Sequence, residues 1–141
     1  MKGQDFIDIA ARWVAEKECG EPTLRSAVSR AYYGAFHCAQ ALFQEIGVPE
    51  PVSRENKHTF VQLALMNSGN PKAAKAGSLL GSLHEQRKIA DYEMGVEHNG
   101  GRATAAVAEA YRIRQLLETC TESDHARMKT MILNWKTLAR K

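Results

Sequence analysis

Apolar residues recur at helical spacing along nearly the whole chain, and no stretch of useful length alternates as a half-buried strand does. That periodicity admits helix packed on helix and excludes a sheet-based core. The chain has 141 residues, of which 44% are hydrophobic and 25% charged, so disorder and collagen-like repeats are excluded. A domain of this size buries roughly 70% of the surface its unfolded form exposes, enough for one core without disulfides or metal. A single domain over residues 1–141 is expected.

Phe6, Ile9, Ala10, Trp13 and Val14 mark a first helix, closed by Gly20 and Pro22. A second is expected from near Pro22 to about Ile46, with Gly47 just past its end. Proline early and glycine late is the asymmetry that helix termini favour. Residues 47–56 hold two prolines and no periodicity and read as a loop, followed by a short third helix over 57–66 that NSGNP ends. A fourth helix should run from about Pro71 to Tyr92, and a fifth from Ala103 to Glu118 after a glycine-containing loop at 94–101. Thr121 to Asp124 break the pattern, and the last helix, from about His125, puts Met128, Met131, Ile132, Trp135 and Leu138 on one stripe. Long amphipathic helices on short connections favour antiparallel neighbours. The expected architecture is all-α: an up-and-down antiparallel bundle of four main helices with one or two shorter ones.

The formal charge is only +3, which does not by itself mark a nucleic-acid binder. Its distribution is uneven, because Arg127, Lys129, Lys136, Arg140 and Lys141 follow Asp124 with no acid among them. Three dispersed cysteines, Cys19, Cys38 and Cys120, form no CxxC pair and argue against a disulfide framework or a structural zinc site. No apolar run approaches the roughly 18 residues of a membrane span, and the opening MKGQDFIDIA is unlike a secretion signal, so a cytoplasmic location without membrane contact is expected.

Two helical stripes carry candidate chemistry. On the second helix Leu24, Val28, Ala31, Ala35, Ala39 and Leu42 form a narrow apolar seam, while Arg30, Tyr33 and His37 recur at i, i+3 and i+7 on a neighbouring face. An arginine, a phenol and an imidazole on one stripe can hold a phosphate and stack a base; equally, they can be half-buried side chains whose polar ends reach partners. On the fourth helix His84, Arg87 and Asp91 repeat the spacing. They suit a proton carrier, an anion clamp and its orienter, or no more than a solvated i,i+4 ion pair. His58 opens the third helix and His98 lies in the glycine loop. No histidine, cysteine or carboxylate pair has metal-site spacing, and neither a GxxxxGK loop nor a GxSxG elbow is present, so no metal and no cofactor are expected.

SRAYYGAFHCA at Ser29–Ala39, the lone His58 in KHTF and RKIADY at Arg87–Tyr92 follow one another in an order and spacing that resemble small stand-alone HEPN domains. The matched stretches lie between residues 24 and 92. The resemblance implies a helical bundle that forms a homodimer, with the late-helix arginine of each subunit facing a shared groove. It also implies metal-independent RNA chemistry and a minimal nucleotidyltransferase antitoxin as partner. In that family an arginine is followed after four to six residues by histidine: the cation stabilises charge developing on phosphate while the imidazole moves a proton. Here the window after Arg87 holds Tyr92, Glu93 and Met94, and no histidine.

Three functional readings follow. The leading one is a HEPN-family dimer that binds RNA or a nucleotide through Arg30, Tyr33, His37, His84, Arg87, Asp91 and Tyr92, acts with a nucleotidyltransferase-type partner, and has weak or no nuclease activity. The second is an active ribonuclease toxin in which Arg87 works with His37 or His58. The third is a non-catalytic structural or interaction module.

Overall fold

The computed structural model describes residues 1–16, 19–51 and 54–139, so Arg140 and Lys141 of the basic tail lie outside the described residues. Among the described residues there are helices and no strands: α1 (Gly3–Ala15), α2 (Glu21–Ile46), α3 (Arg54–Met66), α4 (Pro71–Tyr92), α5 (Gly100–Glu118) and α6 (Glu122–Ala139). The buried apolar side chains of all six helices join in one contiguous cluster.

Local chemistry explains where the helices start and stop. Pro22 sits in the first turn of α2, and Gly47 ends the helix in the left-handed region at φ 84°, which glycine adopts without a Cβ penalty. Asn70 caps α4 by accepting from the Lys72 and Ala73 amides, with Pro71 placed where its missing N–H costs nothing. Three expected boundaries are corrected. Helix α3 begins at Arg54, inside the loop expected over 47–56, because nothing after Pro51 opposes helix. Helix α5 takes in Gly100 and Gly101 because the Asn99 side-chain oxygen Oδ1 accepts from the Arg102 amide at 2.8 Å. Helix α6 starts at Glu122, since Thr121 and Asp124 cap each other reciprocally: the Thr121 amide donates to the Asp124 carboxylate at 2.8 Å, and the Asp124 amide donates to Thr121 Oγ1 at 3.2 Å. The residues read as a break are the cap.

Helix α2 is central and touches each of the other five. The expected seam, Leu24, Val28, Ala31, Ala35, Ala39 and Leu42, is wholly buried. Helix α1 runs against it in the opposite direction, with Gly3 beside Gly34 and Cys38 at one end and Trp13 beside Pro22 and Thr23 at the other. Helix α4 also opposes α2, Arg25 meeting the last turn of α4 and Tyr32 meeting His84 farther back. Helix α6 is lightly seated. Met128 and Ile132 are buried and Trp135 packs on Phe60 with ring centroids 6.0 Å apart, whereas Met131 and Leu138 remain 39% and 69% exposed, so the expected stripe is only partly covered.

A Cβ at Gly34 would lie 2.5 Å from Ile7 Cγ1 and 2.7 Å from the Gly3 carbonyl oxygen, so α1 and α2 approach more closely than any other residue permits. Gly34→Ala should therefore destabilise the protein by about 2–4 kcal/mol despite alanine's better helix propensity, as urea unfolding would register. A neutral or stabilising result would mean that the contact is loose.

Candidate functional site

The antiparallel register of α2 and α4 brings the two expected stripes face to face. Arg87 Nη2 donates to the Tyr33 hydroxyl at 2.8 Å, and Arg87 Nε lies 3.2 Å from Asp91 Oδ2. The Nε–H is buried and makes no hydrogen bond, so the Asp91 contact acts through charge. Ser29 Oγ donates to the same carboxylate oxygen at 3.3 Å, fixing Asp91 from the α2 side. The guanidinium carbon stands 5.1 Å from the centroid of Tyr33, 5.9 Å from that of Tyr32 and 5.9 Å from that of Tyr92. A cation over aromatic faces gains from their quadrupoles and is held in plane. No described residue accepts from Nη1. This arginine is thus oriented by its neighbours while keeping donors suited to an anion.

Behind Arg87 lies an imidazole pair. His58 of α3 and His84 of α4 stack with centroids 5.1 Å apart, and Tyr32, buried between helices, bonds through its hydroxyl to His58 Nδ1 at 2.5 Å. His58 also stacks on Phe36 at 4.4 Å. Burial, helped by the neighbouring His58, Lys88 and Arg87 charges, pushes His84 down to about 4; burial and then the Arg87 and His37 charges lower His58. Burial raises the Tyr32 phenol, which stays protonated. Both rings are therefore neutral at pH 7, the form that accepts a proton. Among the described residues no group of three or more histidine, cysteine or carboxylate side chains converges as a metal site would.

The remaining expected residues are placed differently. His37 sits one turn beyond Tyr33, their centroids 6.4 Å apart, and contacts Phe6 and Phe36. Arg30 does not join Arg87: it is exposed and lies 5.5 Å over the Phe6 ring of α1. Tyr92 is 72% exposed at the end of α4. His98 is buried away from the cluster, its amide donating to Glu21 at 3.2 Å. Of the two histidines considered as substitutes for the missing one, His58 shares both tyrosines with Arg87.

Sequence reasoning missed Arg25. Its guanidinium donates to the carbonyls of Ile89, Ala90, Glu93, Met94 and Val96, and Glu21 holds it from behind at 3.0 Å. The orphan carbonyls at the end of α4 are thus satisfied by a side chain of α2, which fixes the turn that carries Asp91 and Tyr92. A pattern within one helix cannot reveal such a cap, because its acceptors lie more than sixty residues away. Comparison with family models, curated proteins and solved structures finds no match for this chain.

Two predictions follow from this geometry. Arg25→Ala leaves several carbonyls without their donor and should cost about 2–4 kcal/mol in urea unfolding; a change below 0.5 kcal/mol, of the order of an exposed pair, would reduce Arg25 to surface decoration. The second concerns pH. A histidine whose folded pKa lies below its unfolded value binds fewer protons when folded, so its stabilising effect is complete above about pH 6.5 and is lost as pH falls toward about 4. His84→Phe should flatten the fall in stability between pH 7 and 5; an equally steep fall in the variant would place the acid sensitivity elsewhere.

Proposed function

We propose that this chain is a HEPN-type homodimer, built on an up-and-down helical bundle, that binds RNA or a nucleotide at the Arg87 cluster and acts with a nucleotidyltransferase-type partner. The observation that carries the reading is Arg87 itself, fixed between the Tyr33 hydroxyl and the Asp91 carboxylate beneath aromatic faces. An oriented guanidinium among rings is suited to a phosphate with a base stacked nearby. The same side chains carry the sequence resemblance: Ser29, Tyr32 and Tyr33 from SRAYY meet Arg87, Asp91 and Tyr92 from RKIADY. Weak or absent nuclease activity follows from Tyr92, which occupies the first position of the window where the family's histidine stands, because a phenol is a poorer proton carrier than an imidazole at neutrality.

A second reading has its own support. His58 is neutral and shares Tyr32 and Tyr33 with Arg87, an arrangement in which it could take the proton of a ribose 2′-hydroxyl while Arg87 meets the phosphate. Cleavage of RNA in EDTA to 2′,3′-cyclic ends, lost in both Arg87→Ala and His58→Gln, would establish it.

For the leading reading, Arg87→Ala should weaken binding of a labelled oligoribonucleotide by about 10- to 100-fold, the worth of one charge-assisted contact, with helicity unchanged. Arg87→Lys should recover only part, since an ammonium lacks the planar fork. Unchanged affinity in a folded Arg87→Ala protein would contradict the reading. Sedimentation at tens of micromolar is expected to show a dimer; monomer alone would contradict the homodimer.

A further inference from the structure

We infer that Tyr33, His37 and Phe6 form a stacking track for single-stranded RNA, with Arg87 and Arg30 meeting phosphates at its two ends. The inference rests on the proposed RNA or nucleotide reading and specifies where along the surface the chain lies. Three half-buried rings succeed one another, Tyr33 to His37 at 6.4 Å and His37 to Phe6 at 5.4 Å, with interplanar tilts of 31° and 35°. A guanidinium lies over each terminal ring: Arg87 stands 5.1 Å from the Tyr33 centroid and Arg30 5.5 Å from that of Phe6. Cations at both ends of a row of rings match a ligand that alternates phosphates and planar bases. A lone nucleotide needs one of each.

Two rings of the row, Tyr33 and His37, are oriented by hydrogen bonds before any ligand arrives. Arg87 donates to the Tyr33 hydroxyl. His37 is set by a relay: Gln40 Nε2 donates to Glu50 Oε2 at 3.1 Å, which turns the amide oxygen toward His37 Nδ1 at 2.9 Å. Nδ1–H then donates to that oxygen, which selects the tautomer whose lone pair is on Nε2, an acceptor for a base N–H or a ribose hydroxyl. Glu50 lies 3.9 Å from Lys57 Nζ, tying the relay to α3 beside His58. Such pre-ordering lowers the entropy lost on binding.

Beyond His37 and Phe6 the surface opens into a groove of about 1270 Å³ that runs along the C-terminal half of α2. That space exceeds the roughly 300–1,000 Å³ of a pocket for one small ligand and suits continuation of a chain. Lys2 on its wall has no carboxylate side chain within ion-pairing distance among the described residues, while Glu118 there is neutralised by Arg114 at 2.8 Å. Glu45 and Glu50 also line the groove, Glu50 beside Lys57, so the phosphate path is drawn toward Lys2 and away from Glu45.

The test compares a labelled eight-residue oligouridylate, read by anisotropy, with uridine monophosphate, read by calorimetry. Phe6→Leu keeps apolar bulk but removes the π-face, and His37→Gln removes the ring at a half-buried site; melting curves confirm that each variant is folded. Each should lose about 5- to 100-fold in oligonucleotide affinity, the worth of one stacked base. His37→Phe should retain most of it, and wild type should bind the oligonucleotide at least tenfold more tightly than the mononucleotide. If Arg87→Ala loses binding while the Phe6 and His37 variants keep it, the track is wrong and the Arg87 reading stands. Equal affinity for the mononucleotide likewise overturns the track alone. No binding of either ligand by wild type overturns both.

Discussion

Helix α2 has to touch every other helix in the chain, and this requirement shapes the rest of the molecule. A helix surrounded by neighbours can be approached closely only where its side chains are small. Ala27, Ala31, Ala35 and Ala39 meet the requirement along its length, and Gly34 meets it where α1 crosses against Gly3 and Ile7. Close approach on those faces fixes where the larger side chains stand. Tyr32 and Phe36 turn into the space between α3 and α4, and Tyr33 and His37 lie at its border. The packing of α2 thus decides which residues of α3 and α4 meet one another.

Two arginines then join α2 and α4, and they do different work. Arg25 reaches from α2 to the end of α4 and spends its donors on carbonyls that would otherwise lack partners. Its task is structural, and its donors are used up. Arg87 reaches from α4 to α2, finds one hydroxyl and one carboxylate, and lies over rings. Only 12% of the Arg87 side chain is exposed, and burying a cation so far is costly unless it is paired, so Asp91 and the aromatic faces supply what lost hydration no longer does. A stability role alone would be met more cheaply by an apolar side chain of similar volume. A charge with unused donors in such surroundings is suited to an anion.

Much of this was legible in the residues. The bounds of α4 and the glycine stop of α2 follow from proline, asparagine and glycine acting within one turn, and the seam of α2 follows from periodicity. The starts of α5 and α6 were less legible, because Asn99 and the Thr121–Asp124 pair look like loop residues until their side chains are seen to cap a helix. That Arg87 and Asp91 share one face of α4, and Tyr33 and His37 one face of α2, follows from spacing because each stripe lies on one helix. The stacking of His58 on His84, the turn of Arg30 toward Phe6 and the Arg25 cap depend on contacts between helices, to which a one-dimensional pattern is blind.

On the proposed reading the Arg87 guanidinium is the anion-binding element of this protein. Arginine side-chain nitrogen spectra, with the Arg87 resonance assigned by its loss in Arg87→Lys, follow that group directly during titration with a short oligoribonucleotide. The Arg87 resonance should shift and saturate together with binding, as phosphate takes up its remaining donors. Binding that moves other resonances and leaves Arg87 where it began would place the anion elsewhere.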